Sequence, residues 1–175
     1  MSLSCACPEH YPDWDQQDLS LGRQCVHILA VPMLFHMPLS YELYLKRQHY
    51  ELQSLNLTEC WPNLVLTRTG MFRGALIRLL ENASSPSRRV QRLPADFRVR
   101  GKLHKGGIGT VRDSIRQIQM ELLDSGKMPK ELYLCHLTCP HCRDVRGGDK
   151  ILLLRRWVES RLLAKKAGRA AQGNK

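Results

Sequence analysis

The stretch Lys150-Ile-Leu-Leu-Leu-Arg-Arg-Trp-Val-Glu-Ser-Arg-Leu-Leu-Ala-Lys-Lys166 carries four consecutive apolar residues and then a basic face, and its reading sets the fold class. Taken at helical spacing, Ile151, Leu154, Trp157, Val158 and Leu162 make one apolar stripe. Arg155, Arg156, Arg161, Lys165 and Lys166 crowd the rest, which predicts an amphipathic helix over 150–166. The same period predicts helices over 41–56, 70–82 and 110–125. Their stripes are Tyr41, Tyr44, Leu45, Leu52 and Leu55; then Phe72, Leu76, Leu79 and Leu80; then Val111, Ile115, Ile118 and Leu122. Ser40 is read as the cap of the first, and Thr110 with Asp113 as a capping box for the third.

Short apolar or alternating runs predict strands at 24–31, 63–67, 97–104 and 131–137. The expected fold is therefore α+β: one small domain of about four helices around a small sheet, with a Cys-rich knuckle near the C-terminus. Because strands alternate with helices between residues 24 and 137, an α/β arrangement is the alternative. The expected organisation is an irregular acidic segment at 1–22, a single domain at 23–166 and a flexible tail at 167–175.

The 175 residues carry a formal net charge of +11, with 27 basic residues of which 18 are Arg. Residues 1–60 hold three basic and seven acidic side chains, whereas residues 61–175 hold 24 and nine. A half-chain this basic attracts polyanions, and Arg grips phosphate with a two-pronged fork. Alternation over 97–104 is expected to set Arg98, Arg100, Lys102 and His104 on one side of a strand. Such a row has a spacing of about 7 Å, near that of phosphates along a nucleic-acid strand. Lys105-Gly106-Gly107 then leads into the helix that bears Arg112 and Arg116. Glycines before a helix let backbone N–H groups approach an anion. Expected phosphate contacts are Arg98, Arg100, Lys102, Lys105, Gly106, Gly107, Arg112 and Arg116. The spacing is that of neither Walker A nor GxGxxG.

The seven cysteines are grouped. Cys139-Pro-His-Cys142 has the spacing of a metal knuckle, in which two thiolates on a tight turn address one tetrahedral ion. Cys5-x-Cys7 or Cys135 would complete a zinc site, with His10 or His136 as substitute ligands. Cys25 and Cys60, in apolar surroundings, read as small core residues. The tetrapeptide Cys139-Pro-His-Cys142 also resembles the active-site motif of the DsbA-type thiol oxidoreductases. That resemblance implies a strand running into the motif, a helix starting from it and a reactive first thiol.

No catalytic signature stands out: Gly-x-Ser-x-Gly, His-Glu-x-x-His and the kinase set are absent. The longest apolar run, 28–35, is too short to span a bilayer and contains Pro32. The first residues lack the pattern of a signal peptide, so a cytoplasmic location is expected. The sequence thus points to a nucleic-acid-binding or nucleic-acid-associated protein with a structural zinc knuckle, and no membrane partner. Two alternatives stand beside it: a thiol–disulfide oxidoreductase or metal-handling protein built on Cys139 and Cys142, and a protein whose basic half docks an acidic protein partner.

Overall fold

A computed structural model describes residues 5–81 and 84–172. Nine strands form one sheet: β1 (Asp18–Ser20), β2 (Cys25–Leu34), β3 (Met37–Pro38), β4 (Leu66–Arg68), β5 (Arg73–Leu79), β6 (Val90–Arg92), β7 (Arg98–Lys105), β8 (Lys127–His136) and β9 (Lys150–Glu159). Helices α1 (Tyr41–Ser54), α2 (Val111–Asp124) and α3 (Arg161–Gln172) accompany them. The order across the sheet is β1-β7-β9-β8-β4-β5-β2-β3, every pairing is antiparallel, and β6 pairs β2 beside β3.

This corrects both the expected fold and its α/β alternative. The molecule is a large antiparallel sheet with three helices among the described residues, not four helices around a small sheet. Two predicted helices are strands over most of their length, although residues 161–166 of the last do lie in α3. Residues 150–159 are β9, paired along β7 (Lys105↔Lys150 to Arg98↔Trp157) and β8 (His136↔Ile151 to Lys127↔Glu159). Residues 73–79 are β5, held between β2 and β4.

The cause is burial on both faces. Leu152 and Leu154 join the main core with Val26, Leu66, Ile77, Val99, Tyr133 and Cys135. Ile151 and Leu153 point the other way, toward α2, with Val111, Leu132 and Leu134. A strand covered on both sides shows no alternation, and a continuous apolar run fits either period. β5 behaves alike: Ala75, Ile77 and Leu79 face the main core, while Leu76 meets Val31 and Val65 under the Tyr41, Tyr44 and Leu45 side chains of α1. Glycine at 74 is required there, because a Cβ would stand 2.4 Å from the Arg68 carbonyl oxygen.

Helices α1 and α2 lie within a residue or two of expectation, but neither cap is the predicted one. Ser40 is left-handed with φ 54° and makes no side-chain cap bond. Thr110 occupies the N-cap position without capping, its hydroxyl donating instead to the Gly107 carbonyl at 3.1 Å. The segment read as irregular contributes β1, and the span read as a flexible tail is helical as far as Gln172. Residues 173–175 lie outside the described residues, as do Asn82 and Ala83 at the end of the second predicted helix.

A buried polar network fixes α1 to the sheet. Gln48 Nε2 donates to His27 Nδ1 at 3.1 Å and to the Leu76 carbonyl at 3.0 Å, and Gln48 Oε1 accepts from Arg78 Nε at 3.1 Å. Arg78 continues to Glu59 at 2.7 Å. Gln48 donation to Nδ1 leaves the proton of a neutral His27 on Nε2, which faces Glu51 Oε2 at 3.2 Å. Arg89 pairs with the same Glu51 carboxylate. Burial holds the His27 pKa below its ordinary value against the attraction of Glu51.

Candidate functional site: a four-thiol centre and the basic face

Residues 140–147 form successive turns after β8, and they turn the Cys139 and Cys142 thiols toward the start of the chain. The Cys142 and Arg143 amides both donate to the Cys139 carbonyl at 3.0 Å, and the Cys139 amide donates to Cys142 Sγ at 3.3 Å. The N-terminal segment is brought to this knuckle by Arg146, whose guanidinium donates to the Pro8 carbonyl at 2.6 Å and the Leu137 carbonyl at 3.4 Å. Lys150 Nζ in turn donates to the Arg146 carbonyl at 2.7 Å.

Cys5, Cys7, Cys139 and Cys142 therefore converge, with all four sulfurs within 4.8 Å of one another. Cys5 and Cys139 are 3.3 Å apart, Cys139 and Cys142 3.8 Å. Zn–S bonds of about 2.3 Å in a tetrahedron set sulfurs roughly 3.8 Å apart, so the group is close enough to bind a metal ion. Cys7 and Cys142 are buried, Cys5 and Cys139 half-buried.

The protonation pattern is uneven. Burial pushes the Cys5 and Cys7 thiols up. Burial also acts upward on Cys139, but bonds from the Cys5 thiol and from the His141 and Cys142 amides overcome it and bring Cys139 down to about 6. A cluster that stabilises thiolate at one member is suited to a cation.

Of the other expected ligands, Cys135 is in the main core beneath β8, where burial raises its pKa. His10 and His136 are not members of the thiol group. His136 instead sets its ring against Tyr41, with centroids 6.4 Å apart. No helix starts from Cys139-Pro-His-Cys142, unlike the arrangement that the oxidoreductase resemblance implies.

The basic residues divide into two sets. Arg98, Arg100 and Lys102 do share one face of β7, as the alternation requires, but α2 packs over that face. Lys102 is 8% exposed and lies 3.8 Å from Glu121. Arg100 is held by Asp18 at 3.5 Å and Glu121 at 3.8 Å. Arg98 pairs with Glu159 at 2.8 Å and lies over the Trp157 ring at 5.4 Å. Lys105, Arg112 and Arg116 are exposed and, among the described residues, make no ion pair. Gly106 and Gly107 sit between them, Gly106 with φ 153° and its amide on the Asp149 carbonyl at 2.8 Å. Sequence reasoning missed the imidazole of His104 as a neighbour of Thr110 and Ser114. Its place in the alternation of β7, six residues before Thr110, was the available signal.

Among the described residues, no helix is long and apolar enough to cross a membrane. The chain belongs to the bacterial hydrolase family, whose sequence profile matches residues 2–156. No curated protein matches it. Among solved structures, the crystal structure of the EcmrR C-terminal domain is similar, with a TM-score of 0.61 at 11% identity over 82% of this chain and 97% of that one. EcmrR in a cryo-EM structure of its DNA complex gives a TM-score of 0.57 at 10% identity, over 82% of this chain and 57% of that one. At such identities the likeness is one of fold.

Proposed function

We propose that this member of the bacterial hydrolase family is a nucleic-acid-associated protein, stiffened by a structural zinc ion on Cys5, Cys7, Cys139 and Cys142. The observation that carries the reading is the convergence of four thiols within 4.8 Å from opposite ends of the sequence. Four thiolates close the tetrahedron and leave no position for substrate, so the ion's role is to hold structure. It ties the N-terminal segment to the turns before β9, and β9 pairs directly with β7. That pairing sets the position of Lys105 and, through the Gly106-Gly107 turn, of Arg112 and Arg116.

Those three cations and the two glycines are the phosphate-contacting surface in this reading. Arg98, Arg100 and Lys102 support it from behind through Glu159, Asp18 and Glu121. The net charge of +11 supplies the long-range attraction. The structure of EcmrR bound to DNA supports the reading by likeness of fold.

The test is metal content by elemental analysis on protein purified without chelator, with retention on double-stranded DNA and on RNA measured against salt. One zinc per chain and a retention that falls steeply with salt are expected. No metal, or no retention of either nucleic acid at low salt, removes the corresponding half of the proposal.

Family membership favours a second reading, hydrolysis. A four-thiolate metal centre would not perform it, so a hydrolytic site must lie elsewhere in the chain.

A further inference from the structure

The sheet places an imidazole between two hydroxyls where β7 gives way to α2. His104 Nε2 is 3.0 Å from Thr110 Oγ1, and His104 Nδ1 is 2.9 Å from Ser114 Oγ. Thr110 and Ser114 are one helical turn apart, so both hydroxyls face the strand that carries the ring. His104 is 8% exposed, while Thr110 is exposed to solvent. A ring held at both nitrogens has a fixed plane. With Ser114 accepting from Nδ1–H, its tautomer leaves Nε2 as the acceptor for the Thr110 hydroxyl. Nucleophile, base and orienting group then stand in line.

A second observation concerns the space beside them. A Cβ on Gly106 would stand 2.8 Å from His104 Nε2 and 2.8 Å from Thr110 Oγ1. Only glycine fits at 106, and its lack of a side chain keeps residue 106 from intruding between the two reactive atoms. In the resting arrangement the Thr110 hydroxyl donates to the Gly107 carbonyl at 3.1 Å, so the reaction requires it to turn to His104 Nε2.

Resting on the hydrolytic reading above, we infer that Thr110 and His104 form an ester-hydrolysing pair for short carboxylic esters, with Ser114 as a positioning residue. Thr110 Oγ1 bonds to the ester carbonyl carbon while its proton passes to His104 Nε2. Collapse of the tetrahedral adduct breaks the bond to the alkoxy group, which takes that proton and leaves as the alcohol. Water then attacks the acyl-threonine, giving its proton to Nε2. Collapse returns that proton to Thr110 Oγ1 and releases the carboxylic acid. The sum is ester plus water to acid plus alcohol, with no other reactant.

The experiment uses the full chain with p-nitrophenyl acetate. It follows p-nitrophenol release above the buffer background, and quenched samples are mapped by peptide mass spectrometry for an acetyl group. Thr110→Val removes the hydroxyl while keeping the exposed shape, and Thr110→Ser keeps the hydroxyl. The expected result is a loss of about 100-fold or more in Thr110→Val and in His104→Gln. Thr110→Ser should stay within about tenfold of the parent, and acetyl should appear on Thr110 in the parent alone of the parent and Thr110→Val. Ser114→Ala should displace the pH–rate profile, which a purely structural role would leave in place. Turnover unchanged in Thr110→Val, with no acetyl on Thr110, overturns the pair and leaves the hydrolytic reading standing. No turnover and no adduct in the parent overturns both.

Discussion

Cys5 and Cys139 are separated by 134 positions in sequence, yet their sulfurs lie 3.3 Å apart. Two thiols at that distance, joined by Cys7 and Cys142, cannot be satisfied by local turn geometry alone. A cation shared by all four would convert their mutual crowding into bonds.

If zinc fills this centre, Cys139→Ser removes a ligand and loosens the N-terminal segment together with the turns at 140–147. A loss of about 3 kcal/mol is expected, or roughly 6–12 °C in Tm for a domain of this size. Cys135→Ala should keep full metal content, because Cys135 lies in the core beneath β8. Calorimetry with elemental analysis of both variants is the check. Equal metal loss in the two would contradict the assignment of ligands.

Stability should fall on acidification because of His27. Its folded-state pKa is lowered, first by burial, so the unfolded chain takes up that proton before the folded one does. Stability is therefore full above pH about 6.5 and declines as pH drops from there toward the lowered value. Glu51, whose pKa is also held down, in its case by Arg89 and Arg47 against burial, extends the decline below about 4.5. Urea melts across pH 7.5 to 4 check this, and His27→Asn should flatten the upper part of the slope.

Reversing Lys105, Arg112 and Arg116 to Glu should abolish nucleic-acid retention without changing Tm by more than a few degrees, since these side chains are exposed and unpaired among the described residues. Each lost phosphate contact should reduce the slope of log affinity against log salt by about 0.9 on duplex DNA. Arg100→Ala should instead act on stability, by about 1 kcal/mol, through Asp18 and Glu121. Gel-shift titrations at several salt concentrations, with thermal melts, separate the two sets.

Gln48→Ala leaves the buried guanidinium of Arg78 and the ring nitrogen of His27 without a shared partner. A cost of about 2–3 kcal/mol is expected in chemical denaturation. Gln48→Glu should cost less if Arg78 accepts the new charge, since its Nε already donates to Oε1 at 3.1 Å.

How much could be read from the sequence depended on whether one face of an element meets water. α2 exposes Arg112, Arg116 and Met120 opposite Val111, Ile118 and Leu122, and its period is plain. Exposed Arg98 and Lys105 bracket β7, and its alternation is visible even though α2 buries Lys102. β5 and β9 are covered on both sides, and their Leu and Ile runs fit a helical period as readily as a strand. Gly70 and Gly74 were the available warning at β5, because such glycines suit tight turns and close backbone approach more than a helix interior. The CxxC knuckle was plain from its spacing. Its union with Cys5 and Cys7 was one of several combinations, since sequence does not say which distant ligands meet. The twelve residues between Cys142 and Arg155 gave no hint that β9 would return beside β8. His104 was read only as one of the row along β7, because its partners lie on a different element, and hydroxyls in a helix seldom announce chemistry.

The split of the thiols between Cys5–Cys7 and Cys139–Cys142 also sets an order on biosynthesis. Cys5 leaves the ribosome long before Cys142 exists, and until then it has only Cys7 for company. β1 waits likewise for β7, and β7 for β9. The centre is thus among the last features to close, across a loop of more than a hundred residues whose entropy grows only as the logarithm of its length. A nascent chain released before Cys139 would carry Cys5 and Cys7 without their partners, marking it chemically as unfinished.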